Sequence, residues 1–422
     1  MNVLAVSSVM PAVKNISTVA YARIFASLRE RGACEESWAV SQPDSFAPRH
    51  DRDRRVVDTH GYADGMRLLG DVRPDCVLVN SRDFVNAAMS LAARRLGIPV
   101  FLLHTTSIDQ IPERRLLPRL RWMLRNLLMD KTQTDSAADR RFMRKGRHIA
   151  YKLSFLYRTL RAAGTGPASS LVILWREIML LGMGRTSRYG TIQDGHFVAF
   201  RSTVDRLVGA GVDRGSILVA ESIIWDVPSR GEDVAEPDPG GPKRVLIITS
   251  PLYEHGEWSR GTRDDFVSGI VSGLRGDPGL EVSLKAHPSS EDAKEYGDLL
   301  GGSLARLYHR ERLSDIIRGF DVAVSYGHTG AQTEVVAGGI RLVRINLDRS
   351  RFTPPLVDEG IKSGIVTTCD SPGDVAGAVR DALAKRISLT DAFVAESGSL
   401  YSGDAAGRIA DVVMGAVSGK KP

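Results

Sequence analysis

DVAVSYGHTGAQTEVVAGGIRLVRIN, residues 321–346, reads as a short apolar strand, a turn of glycine and small polar residues, a helix and a second apolar strand. Asp321–Ser325 and Arg341–Ile345 are too short for helices and rich in valine and isoleucine, which is the signature of buried strands. Between them Gly327 and Gly330 let the backbone approach a ligand, and Thr329 stands where a helix N-cap or phosphate donor is expected. Strand, turn, helix, strand is the crossover unit of a parallel sheet.

The same rhythm runs outward on both sides. Arg244–Thr249, a helix over Thr262–Leu274, Glu281–Ala286, a helix near Glu291–Leu300 and Ala305–Tyr308 come before the stretch. Ile365–Thr368, a helix over Pro372–Lys385 and an amphipathic tail helix over Gly403–Val417 follow it. Residues 244–422 therefore read as one Rossmann-like domain. Upstream, PSRGEDVAEPDPGGPK (228–243) has the Pro, Gly and acid content of an exposed linker. Residues 1–227 read as a first α/β domain, with strands at Val3–Val9, Cys76–Asn80, Pro99–His104, Phe197–Phe200 and Ser216–Ala220. Its alternation is interrupted over about 112–188 by long helical patterns, read as an insertion. A chain of 422 residues exceeds the size at which a single core stops growing, which agrees with two domains.

The three cysteines, Cys34, Cys76 and Cys369, are widely spaced and fit neither a disulfide framework nor a zinc site. No secretory signal or membrane span is expected, because the apolar start lacks a basic flank and Leu171–Met183 is short and carries Arg176 and Glu177. Cytoplasmic placement follows, with attachment to the inner face of the membrane as a variant of it. Between Ile111 and Arg161 fourteen Lys/Arg (114, 115, 119, 121, 125, 131, 140, 141, 144, 145, 147, 152, 158, 161) face four acids (113, 130, 135, 139). No zinc finger, RNP-type motif or helix-turn-helix spacing accompanies that patch, so nucleic acid is not the expected partner. It is either a solvated basic face over a packed apolar one, or basic helices (112–161) resting on an anionic membrane surface.

In open α/β sheets ligands sit beyond the carboxyl ends of strands, where helix N-termini attract phosphate. Two such ends carry unusual residues: Lys285-Ala286-His287-Pro288, and Ser325 through Glu334. An imidazole at His287 can donate to a diphosphate, and a carboxylate at Glu334 can accept from ribose hydroxyls. Each also has an ordinary structural reading, as a backbone-bonded histidine and as a local cap pair. Ser250 follows the first strand of the second domain, where a small hydroxyl can meet phosphate, and Tyr253, Glu254 and His255 extend that loop. No Asp-x-Asp pair is expected to hold a cation. Phosphate charge is then left to helix N-termini, His287 and Arg260, Arg263 or Lys285. In the first domain Ser7, Ser8 and Asn15 line the first turn, and Asp83 and His104 follow two strands. His104 and Asp83 stand where a general base of near-neutral pKa would be sought and are the catalytic candidates, each also readable as a cap or satisfied loop group.

RVLIITSPLYEHGEW (244–258), LKAHP (284–288) and the 321–346 stretch, closed by GDAAGRIADVV (403–413), together resemble the nucleotide-binding half of GT-B glycosyltransferases and the related UDP-N-acetylglucosamine 2-epimerases. They are also similar to bacterial sialyltransferases and CDP-glycerol glycerophosphotransferases, which share a His-Pro motif and a later small-polar turn. The nearest local likeness is the epimerase-type Gly-x-Gln-x-Glu turn, present as Gly330, Ala331, Gln332, Thr333 and Glu334. The resemblance implies two Rossmann-like domains facing across a cleft, a nucleotide sugar as substrate, and no cofactor or metal. It implies a donor set of Ser250, His287, His328, Thr329, Gly330, Gln332 and Glu334, with Glu334 on the ribose and Thr329, Gly330 and His287 on the phosphates. A transferase acting on a glycan or lipid-linked acceptor in surface polysaccharide or glycoconjugate synthesis is the expectation. A UDP-N-acetylhexosamine 2-epimerase and a non-catalytic sugar-nucleotide-binding or membrane scaffold protein are the alternatives. The first domain lacks an acidic and arginine constellation matching the epimerases' catalytic residues, which counts against isomerase activity.

Overall fold

The structure, a computed structural model, describes residues 1–7, 11, 16–32, 34–41, 54–80, 84–104, 137–182, 192–198, 201–220, 241–254, 257–288, 291–327, 329–347, 355–387 and 404–419. The chain divides into two compact units, Met1–Asp226 with Ser402–Pro422, and Val227–Tyr401.

The first unit contains β1 (Asn2–Ser7), α1 (Ile16–Arg31), β2 (Glu35–Val40), β3 (Arg54–Asp58), α2 (Gly65–Val72), β4 (Cys76–Val79), α3 (Phe84–Arg95) and β5 (Val100–Leu103). Helices α4 (Ala137–Ala162) and α5 (Pro167–Gly182) come next, then β6 (Gly195–Val198), α6 (Arg201–Gly209) and β7 (Ile217–Val219). The strands form one parallel sheet in the order β3-β2-β1-β4-β5-β6-β7. Alternate residues of β1 feed different cores: Val3 and Ala5 meet Tyr21, Ile24 and Phe25 of α1, whereas Leu4 and Val6 meet Leu68, Val85, Met89 and Phe155. Burial on both faces is why these strands read as continuous apolar runs.

Two strands escaped the sequence reading. β2 begins Glu-Glu, and β3 carries two arginines. Glu36 is nonetheless 2% exposed, because Arg29 (2.6 Å), Arg54 (3.0 Å) and the Trp38 indole N–H (2.7 Å) all reach its carboxylate. A buried charge is tolerable when so paired.

The tail helix α13 (Ala405–Val417), expected in the second domain, belongs to the first unit. Ala405, Ile409, Ala410 and Val413 make one apolar face buried with Tyr21, Ile24 and Phe25 of α1. Arg31 pairs with Asp411 at 2.6 Å, and Arg408 donates to the Ala220 carbonyl at 3.2 Å. Of the insertion, α4 and α5 lie among the described residues, as 112–136 and 183–188 do not; most of the expected linker, 228–240, also lies outside them. α4 seats Phe155, Leu156 and Leu160 in the core, and Thr159 Oγ1 accepts from the Gly65 N–H at the start of α2.

The second unit contains β8 (Lys243–Ile248), α7 (Arg260–Arg275), β9 (Leu280–Lys285), α8 (Ala293–Leu300), β10 (Arg306–Tyr308), α9 (Leu313–Ile316) and β11 (Val322–Tyr326). It continues through α10 (Gly330–Ala337), β12 (Arg341–Ile345), α11 (Pro355–Lys362), β13 (Val366–Cys369) and α12 (Val375–Ala384). All its strands are parallel, in the order β10-β9-β8-β11-β12-β13. The order reverses between β8 and β11, so the crevice at their carboxyl ends is the switch point where such sheets take ligands. Both units have the doubly wound α/β architecture expected from the sequence.

Candidate functional site

In the second sheet Lys285, Ile248 and Ser325 stand side by side, one on each of β9, β8 and β11. The residues that follow them, Ala286 and His287, Thr249 and Ser250, and Tyr326 and Gly327, therefore leave the sheet at the same edge. The loops that carry Ser250, His287 and Thr329 therefore begin side by side.

Glu291 ties two of these loops together. It is 5% exposed, and its Oε2 accepts the His287 N–H at 2.6 Å and the Thr249 hydroxyl. Its Oε1 accepts the Tyr296 hydroxyl at 2.8 Å. One buried carboxylate thus holds the ends of β8 and β9 and the start of α8. Ser250 links β8 to β11, donating its hydroxyl to the Tyr326 carbonyl at 2.7 Å. It is 2% exposed and its single proton is engaged, so it braces the edge rather than offering a hydroxyl to ligand.

Gly327 then turns the chain with φ +69°, a conformation costly for a residue with a Cβ, and such an atom would sit 3.4 Å from Ser250 Oγ. Gln332 closes the turn, its Nε2 donating to the Gly327 carbonyl at 2.9 Å. Fully buried, it shapes the turn from beneath. Thr329 is the N-cap of α10: its Oγ1 accepts from the Ala331 N–H at 3.2 Å, which leaves its own hydroxyl proton to donate. Gly330, the first helical residue, has no carbonyl one turn back to bond, so its N–H is available to an anion. His328 lies outside the described residues.

Glu334 has a different attachment from the cap pair considered for it. Its carboxyl accepts the Ser314 N–H in α9, and burial raises its pKa to about 7 against the lowering effect of Arg312 and Ser314. An acid whose folded pKa exceeds its unfolded value of 4.5 keeps its proton in the native state while the unfolded chain has lost it. Stability therefore declines as pH rises from about 4.5 to about 7 and is flat above. The shift corresponds to about 3 kcal/mol, a ceiling since Glu334 keeps some solvent contact. Denaturant titrations at pH 5 and pH 8 are expected to show Glu334→Gln matching the wild type at the lower pH and exceeding it at the higher; a constant difference would refute this linkage.

The cations proposed for phosphate separate in the structure. Arg263 is 1% exposed and bound to Glu295 (2.7 Å), Asp264 (2.8 Å) and Glu254 (3.4 Å), with Tyr253 and Tyr296 rings beside its guanidinium. Burial alone would lower its pKa, but the Glu295 and Asp264 hydrogen bonds raise it above the ordinary value. Lys285 is also buried, donating to the carbonyls of Ala286 (2.9 Å) and His309 (2.8 Å), and desolvation lowers its pKa. Both are internal fasteners. Arg260 is the exposed member of the trio, 3.7 Å from Glu295. A depression of about 460 Å³ lined by Ser268, Ser272, Arg275, Leu299 and Ser303 lies toward the last turn of α7. That helix end leads into β9, so the depression belongs to the opposite sheet edge.

In the first unit His104 follows β5 but is 8% exposed, with its Nε2 3.3 Å from His196 Nδ1 and the rings stacked at 5.6 Å. Asp83, Ser8 and Asn15 lie outside the described residues, as does His255 of the second unit. A pair the sequence reading passed over closes β3: Asp58 Oδ1 accepts from the His60 backbone N–H and meets its Nδ1, each at 2.9 Å, while the ring stacks on Tyr151 at 3.7 Å. Glu291 and Arg263 were also missed as organisers. A polar residue four places after His287, and an arginine on the apolar side of the Thr262–Leu274 helix, were the available signals.

No family model matches the chain, and no curated protein does. The solved structures that it resembles over nearly its whole length include the following three. The MnaA–UDP co-structure from S. aureus has TM-score 0.56 and 14% identity, covering 100% of this chain and 98% of that one. This is the GT-B fold. UDP-GlcNAc 2-epimerase from Neisseria meningitidis bound to UDP-GlcNAc gives TM-score 0.55 at 14% identity, covering 98% of this chain and 100% of that one. MurG from Acinetobacter baumannii gives 0.50 at 12%, covering 98% and 99%. The GT-B assignment agrees with two parallel sheets in the doubly wound order. No helix among the described residues is long and apolar enough to cross a membrane.

Proposed function

We propose that the chain is a metal-independent glycosyltransferase that binds a nucleotide sugar at the β8/β11 switch point and transfers the sugar to a glycan or lipid-linked acceptor. The observation that carries this is the shared edge of the His287 and Thr329 loops, bound together through Glu291, Thr249, Ser250 and the Tyr326 carbonyl. Diphosphate charge is met by the α10 N-terminus, the Thr329 hydroxyl and the His287 ring, and Glu334 serves the ribose. The acceptor oxygen bonds to the anomeric carbon, the bond from that carbon to the diphosphate oxygen breaks, and the nucleoside diphosphate leaves. The acceptor proton passes to a base, proposed as His104; His60, held by Asp58, is a second candidate. The enzyme acts at the cytoplasmic side in surface polysaccharide or glycoconjugate synthesis.

A second reading, a UDP-N-acetylhexosamine 2-epimerase, is favoured by the Gly330-to-Glu334 turn and by the likeness to the N. meningitidis enzyme. Thermal melts with UDP-GlcNAc and with UDP, CDP, GDP and CMP separate these readings from none at all. A ligand at 100 times its Kd stabilises by about 2.7 kcal/mol, roughly 5–10 °C for a unit of this size. A rise with one nucleotide class, reduced in His287→Ala, is expected. No rise with any of them, or with other sugar conjugates of these nucleotides, refutes the proposal. Given binding, inversion at C2 without acceptor decides for the epimerase, and binding without turnover over a broad acceptor panel decides for a scaffold.

A further inference from the structure

Helix α5 is apolar on two opposite sides. At 100° per residue Ser170, Ile173, Leu174 and Glu177 fall on one face, and Ile173 and Leu174 pack against the first unit's core. Ala168, Leu171, Val172 and Trp175 fall on the other. That second face is open: Leu171 is 57%, Val172 68% and Trp175 62% exposed, and Ile149 of the neighbouring α4 is 53% exposed. A helix apolar all round belongs in an apolar environment, and an exposed stripe of this kind marks an interaction surface.

The charge of the segment that bears the stripe indicates what covers it. Residues 140–182 contain nine Lys/Arg (140, 141, 144, 145, 147, 152, 158, 161, 176) and one acid, Glu177. Glu177 is on the buried face at 1% exposure, while Arg158, Arg161 and Arg176 are exposed. An apolar stripe with a tryptophan, on a segment whose exposed charges among the described side chains are the cations Arg158, Arg161 and Arg176, is complementary to anionic headgroups over an acyl layer. A protein partner would need an acidic apolar groove, which nothing here requires.

We propose that α5 is a membrane-contact helix that lies in the interface of an anionic lipid surface, with Leu171, Val172 and Trp175 inserted and Arg158, Arg161 and Arg176 among the headgroups. The sequence reading looked for membrane contact in residues 112–161; this places the apolar contact on the following helix. It would bring the enzyme to a lipid-linked acceptor, but it does not depend on the nucleotide-sugar reading, since its test contains no nucleotide.

The full chain is floated with vesicles of phosphatidylcholine alone and with roughly 30% phosphatidylglycerol. Recovery with the anionic vesicles only, weakened by salt, is expected. The triple variant Leu171→Ser, Val172→Ser, Trp175→Ser should partition about 10-fold more weakly or worse, with an unchanged melting temperature because the stripe is outside the core. The fluorescence difference between wild type and Trp175→Phe should shift to the blue when anionic vesicles are added. No flotation, or flotation that the triple variant leaves intact, overturns the proposal. So does a Trp175 signal already blue and unresponsive to lipid, which would mean that protein covers the stripe. A concentration-dependent dimer abolished by the triple variant, without lipid binding, would reassign the stripe to contact between two copies of the chain.

Discussion

Glu291→Ala is expected to lower stability by about 3–5 kcal/mol, because it leaves three buried or half-buried donors without their shared acceptor. The Thr249 hydroxyl, the His287 N–H and the Tyr296 hydroxyl all converge on that carboxylate. For a unit of this size the loss is roughly 10 °C or more in melting temperature. The conservative variant should recover most of it. In Glu291→Gln the carbonyl oxygen can take the Oε2 position, where two donors arrive, and the amide then faces Tyr296, whose hydroxyl can rotate to accept. The expected order of melting temperature is wild type, Gln, Ala, read by calorimetry. Nucleotide affinity should follow the same order, since the His287 backbone is fixed through this oxygen. An alanine variant as stable as wild type would mean that Glu291 does not hold the edge together.

Arg263→Met should be comparably damaging, at about 3–5 kcal/mol, by the removal of one partner from a buried charge cluster. Glu254, Asp264 and Glu295 would then face each other around an apolar side chain. Burial already holds the Glu254 carboxyl above its ordinary pKa with Arg263 in place. Without the guanidinium, protonation relieves the repulsion, so the deficit against wild type should be larger at pH 8 than at pH 5. Arg263→Lys should fall between them, since an ammonium cannot fork to Asp264 and Glu295 while lying against Tyr253 and Tyr296. Chemical denaturation at the two pH values provides the check. A deficit independent of pH would attribute the loss to packing alone. The loop Tyr253–Glu254 hangs on this cluster, so the damage should extend to ligand affinity.

The glycosyltransferase reading and the membrane helix make separate demands on the chain, one on the carboxyl edge of the second sheet and one on the α5 surface of the first unit. Neither is implied by the fold. GT-B architecture serves transferases and epimerases alike, and what distinguishes them is the chemistry of particular side chains. In the proposed reading His104 and His60 are the imidazoles to test by substitution and pH profile.

The sequence by itself determined the α/β class, the parallel strands and the loops from which the candidate site is argued. These are local properties: short valine- and isoleucine-rich runs, helical periodicity, and a Thr-Gly helix start each declare themselves within a few residues. The strands it missed, β2 and β3, declare themselves only through partners, because Glu36 is buried at the expense of Arg29, Arg54 and Trp38 from three places in the chain. The tail helix is legible as a helix, but its owner is not. An apolar face fits either core, and Tyr21, Ile24 and Phe25 of α1 decided which. Side-chain roles diverged for the same reason. Ser250, Gln332, Arg263 and Lys285 are polar residues beside a presumptive anion site, and sequence cannot distinguish a group aimed at ligand from one engaged by a neighbouring carbonyl or carboxylate. That distinction rests on where a few hydrogen bonds terminate across strands far apart in the chain, and tertiary packing alone sets it.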